Sequence, residues 1–87
     1  MKGTEKQTAF ANDIIKEWRE HAAEKRAFFE SKGPNEMGIK LLDEAMATLE
    51  KRISEADKAS EIISSRYEPE YDYEQIFYAL MKEAANK

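Results

Sequence analysis

Leu42-Asp43-Glu44-Ala45-Met46-Ala47-Thr48-Leu49-Glu50-Lys51-Arg52-Ile53 sets apolar side chains four, three and four residues apart, and the series continues through Ala56, Ser60 and Ile63. Alternating steps of three and four draw one stripe along a helix, in the manner of a heptad seam. Ile39 extends the stripe backwards. The pattern predicts a long helix from an N-cap at Asn35 to about Arg66, where Pro69 and a cluster of charges and tyrosines interrupt the period. Its outer face carries Glu44, Glu50, Lys51, Glu55 and Lys58, the mixed charge of a solvated surface.

A second long stripe precedes it. Thr4 and Gln7 form a capping-box signature, and Ala11, Ile14, Trp18, Ala22, Lys25 and Phe29 follow at helical spacing, widened by Phe10, Ile15 and Phe28. Trp18, the single tryptophan, sits mid-stripe and is expected at the centre of packing. Ser31-Lys32-Gly33-Pro34-Asn35 ends the helix, because glycine suits a left-handed C-terminal position and proline disfavours helical geometry before it. After Pro69, Asp72 and Gln75 repeat the cap signature, and Ile76, Phe77, Leu80 and Ala84 form a short stripe. The expectation is an all-α fold in one domain spanning residues 1–87, an antiparallel helical hairpin of two long helices plus a short third helix, forming a three-helix bundle.

Connectivity places the short helix where the second helix finishes and the first begins, leaving the 31–35 turn uncovered. Phe28, Phe29, Met37, Ile39 and Leu41 crowd that turn with more apolar surface than a two-helix tip buries. They are the expected self-association surface of a homodimer, or a second partner site, unless Phe28 and Phe29 fold inward over the turn. The heptads of the second helix could serve the same homodimer.

Eighty-seven residues bound the chain to one modest core, and without cysteine neither a disulfide nor a thiolate metal site supports it. Helix packing, oligomerisation or a partner must do so instead. Mean hydropathy is −0.81 and charged residues are 37% of the chain, but regular apolar spacing with few glycines and prolines argues for a folded bundle. No signal-peptide-like apolar run opens the chain and no stretch is apolar enough to span a membrane, so the expectation is a cytoplasmic protein.

Charge is uneven along the chain. Residues 1–32 hold seven basic and six acidic side chains, residues 33–66 five and seven, and residues 67–87 two and five. With net charge −4, direct nucleic-acid binding is not expected, since that attraction comes from lysine and arginine against phosphate.

No catalytic constellation is present in the sequence. The one histidine, His21, has Glu17 a turn before it but lacks the Glu-x-x-His spacing of carboxylate-bridged metal sites. The glycines make no phosphate-cradling pattern, and Met37, Met46 and Met81 read as packing residues. A ligand-binding bundle would need Lys16, Arg19, Lys25 and Arg26 to converge, yet they are interleaved with acids. The expectation is a non-enzyme with no cofactor and no metal.

The strongest functional signal is Tyr67-Glu68-Pro69-Glu70-Tyr71-Asp72-Tyr73-Glu74-Gln75-Ile76-Phe77-Tyr78. This segment holds five of the nine aromatic residues and four carboxylates without a basic residue. Ile76 and Phe77 belong to the buried stripe of the third helix, and Asp72 to its cap. Tyr67, Glu68, Glu70, Tyr71, Tyr73 and Glu74 remain as the expected partner-binding set, with rigid amphipathic anchors and a uniform sign of charge suited to a basic protein surface. The competing reading is a solvated lid over the open end of the hairpin.

The N-terminal run Thr4-Glu5-Lys6-Gln7-Thr8-Ala9-Phe10-Ala11-Asn12-Asp13-Ile14, of form T-x-K-Q-x-x-aromatic-A-x-x-I, resembles the opening of small helical proteins of bacteriophages and bacterial mobile elements. The resemblance extends loosely to residues 59–66, where Ile62-Ile63-Ser64-Ser65-Arg66 departs from the pattern. It carries over no functional residue. It implies a setting in the bacterial host cell, in which small acidic phage proteins often inhibit host defence machinery. Together these point to a phage protein that binds a defence nuclease as an inhibitor, anti-CRISPR-like, by competing for a nucleic-acid-binding groove. The alternative is a structural or assembly protein forming a helical homo-oligomer.

Overall fold

The computed structural model describes residues 1–86, and among them every extended element is helical: α1 (Glu5–Glu30), α2 (Glu36–Glu55), α3 (Ala59–Ser64) and α4 (Tyr73–Ala85), with a 3-10 turn at Pro69–Tyr71. The all-α expectation holds. α1 begins as its sequence predicts: Thr4 Oγ1 accepts from the Gln7 amide and Gln7 Oε1 accepts from the Thr4 amide, both at 3.1 Å. It ends at a turn in which Gly33 adopts a φ of 68°, the left-handed conformation that other residues rarely enter. Asn35 then caps α2, its side chain accepting from the Gly38 amide at 2.9 Å.

Two ion pairs fix how α1 and α2 lie. Arg26 meets Asp43 at 2.5 Å, and Arg19 meets Glu50 through two hydrogen bonds of 2.9 Å. Seven residues back along α1 correspond to seven forward along α2, so the two helices run in opposite directions. Each arginine holds its proton more firmly for the contact, by hydrogen bonding to Glu30 and Asp43 at Arg26 and to Glu50 at Arg19.

The second helix is shorter than predicted. α2 stops after Glu55, Ala56 and Lys58 are extended, and a separate helix, α3, starts at Ala59. The break is closed from a distance, by the N-terminal segment. Lys2 donates its amide to the Asp57 carbonyl at 2.9 Å, and its own carbonyl accepts from the Ala59 amide at 2.7 Å, forming a short parallel bridge. A carboxylate oxygen of Glu61 accepts from the Asp57 amide at 3.0 Å. Backbone groups that an unbroken helix would have paired internally thus find partners. Gly3 permits the approach: its φ is 150°, and a Cβ there would lie 3.0 Å from that of Ala59.

The break also advances the apolar frame. An unbroken heptad would bury Ser60 and Ile63, whereas Ala59 and Ile62 are buried, Ser60 is exposed and Ile63 is half-buried. α1 packs chiefly along α3, and α2 along α4.

The position of the short third helix also departs from expectation. His21 faces Asp72, Lys25 pairs with Glu74, and Phe29 packs on Phe77, so α4 runs beside the second half of α1 towards the 31–35 turn. α3 and the Lys2 bridge cover the opposite end. The core joins all four helices through Ile14, Trp18, Leu42, Leu49, Ile62, Tyr73 and Phe77.

Candidate functional site

The loop between α3 and α4 is pinned at three places. Trp18 Nε1 donates to the Arg66 carbonyl at 3.2 Å, Arg52 Nη1 donates to the Glu70 carbonyl at 2.6 Å, and Asp72 caps α4 by accepting from the Gln75 amide at 3.2 Å. Pro69 opens the 3-10 turn between them, where its fixed φ and missing N–H cost nothing. A segment held in this way presents its side chains with little conformational entropy left to lose on binding.

The six residues expected to bind a partner separate into three environments. Tyr73 is fully buried, and its hydroxyl donates to the Leu42 carbonyl at 2.8 Å. It opens α4 on the side facing α2 and belongs to the core, so it leaves the surface set. Burial pushes its phenol pKa up. Tyr71 is half-buried and lies flat on Trp18, with ring centroids 4.4 Å apart and planes 10° from parallel. Its pKa is also raised, first by burial and then by the Glu70 and Glu61 charges. Glu74 is half-buried and paired with Lys25 at 2.7 Å, a hydrogen bond that raises the Lys25 pKa. Only Tyr67, Glu68 and Glu70 stand in the open, and the two glutamates have no ion pair among the described residues.

Tyr67 is 87% exposed, the most exposed of the large apolar residues. Its ring lies 5.3 Å from the Arg66 guanidinium, which also reaches Glu17 at 3.3 Å and the Phe10 ring at 5.6 Å. Behind this surface is a concavity of about 280 Å³ between α1 and the loop, lined by the stacked Trp18 and Tyr71, by His21, and by Glu17, Glu68 and Asp72, with Arg66 and Tyr67 at its side. Sequence reasoning did not find this grouping. Trp18 and His21 share a face of α1 through their spacing of three, but the loop reaches them only through the tertiary fold.

The expected self-association residues also divide. Phe28 and Met37 are 53% and 54% exposed and Ile39 is exposed, but Phe29 is half-buried against Phe77 at 4.7 Å and Leu41 is buried. The tip is not bare, because α4 lies beside it. Between them runs an apolar groove of about 620 Å³, walled by Phe29, Pro34 and Met37 on one side and Tyr78, Met81 and Ala84 on the other.

The basic residues of α1 do not converge. Lys16 pairs with Glu20, Arg19 with Glu50, Lys25 with Glu74, and Arg26 with Glu30 and Asp43. Among the described residues no group of three or more His, Asp or Glu is arranged to hold a metal ion, and no helix is long and apolar enough to cross a membrane. No family of known proteins, no curated protein and no solved structure matches this chain.

Proposed function

We propose that the chain is a non-enzymatic protein-binding module whose acidic, tyrosine-bearing loop occupies a basic surface of another protein. One observation carries the reading: Tyr67, 87% exposed, stands beside Glu68 and Glu70, which have no ion pair among the described residues, on a loop anchored at Trp18, Arg52 and Asp72. An exposed aromatic on a rigid backbone is a suitable anchor, and uncompensated carboxylates around it steer a basic partner and disfavour an acidic one. The scaffold amounts to a three-rod bundle whose second rod is jointed at residues 56–58.

The resemblance of residues 4–14 to phage and mobile-element proteins supplies the setting. In it, the partner is a bacterial defence nuclease in the host cytoplasm, and the acidic loop competes for its nucleic-acid groove, as an anti-CRISPR-like inhibitor would. Capture from a bacterial lysate, followed by binding measurements on the retained basic protein, tests this. Replacing Glu68 and Glu70 by Gln and Tyr67 by Ala should weaken binding by about tenfold or more and flatten its salt dependence. These positions leave the Asp72 cap and the Glu74–Lys25 pair intact. Unchanged affinity in the triple variant refutes the reading.

The apolar groove between α4 and the 31–35 turn favours a second reading, a helical homo-oligomer in which a second copy covers it. Sedimentation at rising concentration decides: a dimer lost in Met37→Glu supports this reading, and a strict monomer removes it.

A further inference from the structure

We infer that the groove between α4 and the 31–35 turn is filled by α4 of a second copy of this chain, the two helices lying antiparallel about a two-fold axis between Tyr78 and Met81. This pairing rests on the homo-oligomer reading and names the helix that enters the groove, its direction and the residues that meet.

α4 is both wall and occupant. Its buried residues, Tyr73, Ile76 and Phe77, belong to the core. On its free face Glu74, Tyr78, Met81 and Ala85 follow at steps of four, three and four, the spacing of a coiled-coil seam, and the last three are exposed. That series of steps reads the same in both directions. A second α4 laid on it antiparallel therefore sets Tyr78 of each copy against Met81 of the other, and Glu74 against Ala85, as a self-complementary two-fold contact requires. Sulfur against an aromatic ring is a favourable contact, and methionine adapts to irregular surfaces. A parallel pair would instead place Glu74 against Glu74.

Charge agrees with the antiparallel direction. Lys32, in the turn towards which α4 runs, is the one charged residue among the described residues lining the groove, and it has no ion pair among them. Antiparallel packing brings Glu74 of the second copy to this end. Within its own copy Lys25 meets that carboxylate through Oε2, so Oε1 can accept from Lys32.

The exposed area also fits. Phe28, Met37, Tyr78 and Met81 are 53, 54, 46 and 44% exposed. At about 200 Å² for each large side chain they offer about 400 Å² of apolar surface. A stable dimer covers about 800 Å² per copy, roughly 65% of it apolar. These four residues supply most of that requirement before Phe29, Ala84 and Ala85 of the same groove are added. Tyr67, Glu68 and Glu70 do not line the groove, so each copy keeps its acidic loop.

The experiment follows sedimentation of the full chain from micromolar to millimolar concentration, then records isotope-filtered NOEs on an equal mixture of labelled and unlabelled chain. A dimer should form, with signals between the Tyr78 ring of one copy and the Met81 methyl of the other. Met81→Glu inserts two carboxylates, one on each side of the axis, and should weaken the dimer about a hundredfold, about tenfold for each. Lys32→Glu should weaken it several-fold. Phe10→Glu, at an exposed position outside the groove, should leave it unchanged.

A strict monomer at every concentration overturns the pairing together with the homo-oligomer reading. A dimer that is lost in Met37→Glu but shows no Tyr78–Met81 signal between copies, or that survives Met81→Glu, overturns the α4 pairing and leaves the homo-oligomer reading standing. Equal losses from Met81→Glu and Phe10→Glu overturn it as well, since association would then follow overall charge rather than this groove.

Discussion

Replacing Tyr73 by Phe removes one buried hydroxyl and leaves the ring in place. The hydroxyl donates to the Leu42 carbonyl at 2.8 Å, and no part of the residue reaches solvent. Leu42 lies within α2, where a carbonyl also accepts from the residue four ahead, so the deletion strands no acceptor. The expected loss is therefore that of one hydrogen bond, about 1 kcal/mol, or a fall in Tm of about 4–8 °C for a domain of this size. The same phenol makes stability depend on pH at the alkaline end. Burial raises its folded pKa above the unfolded value, so its contribution is complete below the unfolded pKa of about 10 and is lost as pH rises towards the folded pKa. In that window one phenol changes stability by at most about 1.4 kcal/mol per pH unit. Tyr71, half-buried with a pKa raised in the same direction, adds a second alkaline contribution. Urea unfolding followed by Trp18 fluorescence, at pH 7 and again between pH 9 and 11, should show Tyr73→Phe less stable at pH 7 and less sensitive to alkali than the parent chain. Equal stability at pH 7 together with an unchanged alkaline decline would refute the buried, hydrogen-bonded placement of Tyr73.

Three further outcomes are expected. Leu49→Ala, at a fully buried core position, should cost about 2–5 kcal/mol in the same unfolding assay. The hydrogen bond from Arg19 holds the Glu50 carboxyl below its usual range, so the pair's contribution is present above the unfolded carboxylate pKa and fades as pH falls through the folded one. Because both side chains are about half exposed, Glu50→Gln should cost less than about 1 kcal/mol at pH 7 and reduce the loss of stability on acidification, measured by thermal melts from pH 7 to pH 3. Removing residues 1–3 takes away both backbone bonds of the Lys2 bridge and should cost about 1–3 kcal/mol, with faster hydrogen exchange at the Ala59 amide as the local readout.

What could be read in advance was local. The caps at Thr4, Asn35 and Asp72 lie within three residues of the amides they satisfy, so their spelling in the chain and their geometry correspond directly. The joint at residues 56–58 was illegible for the opposite reason. Ala56, Ser60 and Ile63 extend the heptad without interruption, neither proline nor glycine marks the break, and the segment that stabilises it begins at Lys2. The adjacent Ile62 and Ile63 offer an apolar side chain to either frame, so periodicity alone could not choose between them. Tyr67 and Tyr73 show the same limit within the candidate site. Both belong to the acidic tyrosine segment, but Tyr67 projects into solvent from the loop before Pro69, whereas Tyr73 opens α4 and enters the core, where its hydroxyl donates to the Leu42 carbonyl of α2. The grouping of His21 and Trp18 with residues 67–72 required that packing to be known.

The Lys2 bridge carries a consequence for the order of events during synthesis. Lys2 emerges from the ribosome long before Asp57, Lys58 and Ala59, so α1 can become helical early while the contact that closes the α2–α3 joint waits for more than half of the chain. A six-residue helix is too short to persist alone. α3 should therefore consolidate late, after the ends of this long loop meet, and the pairing of two distant backbone segments should slow a chain whose other contacts are those of a fast-folding helical protein.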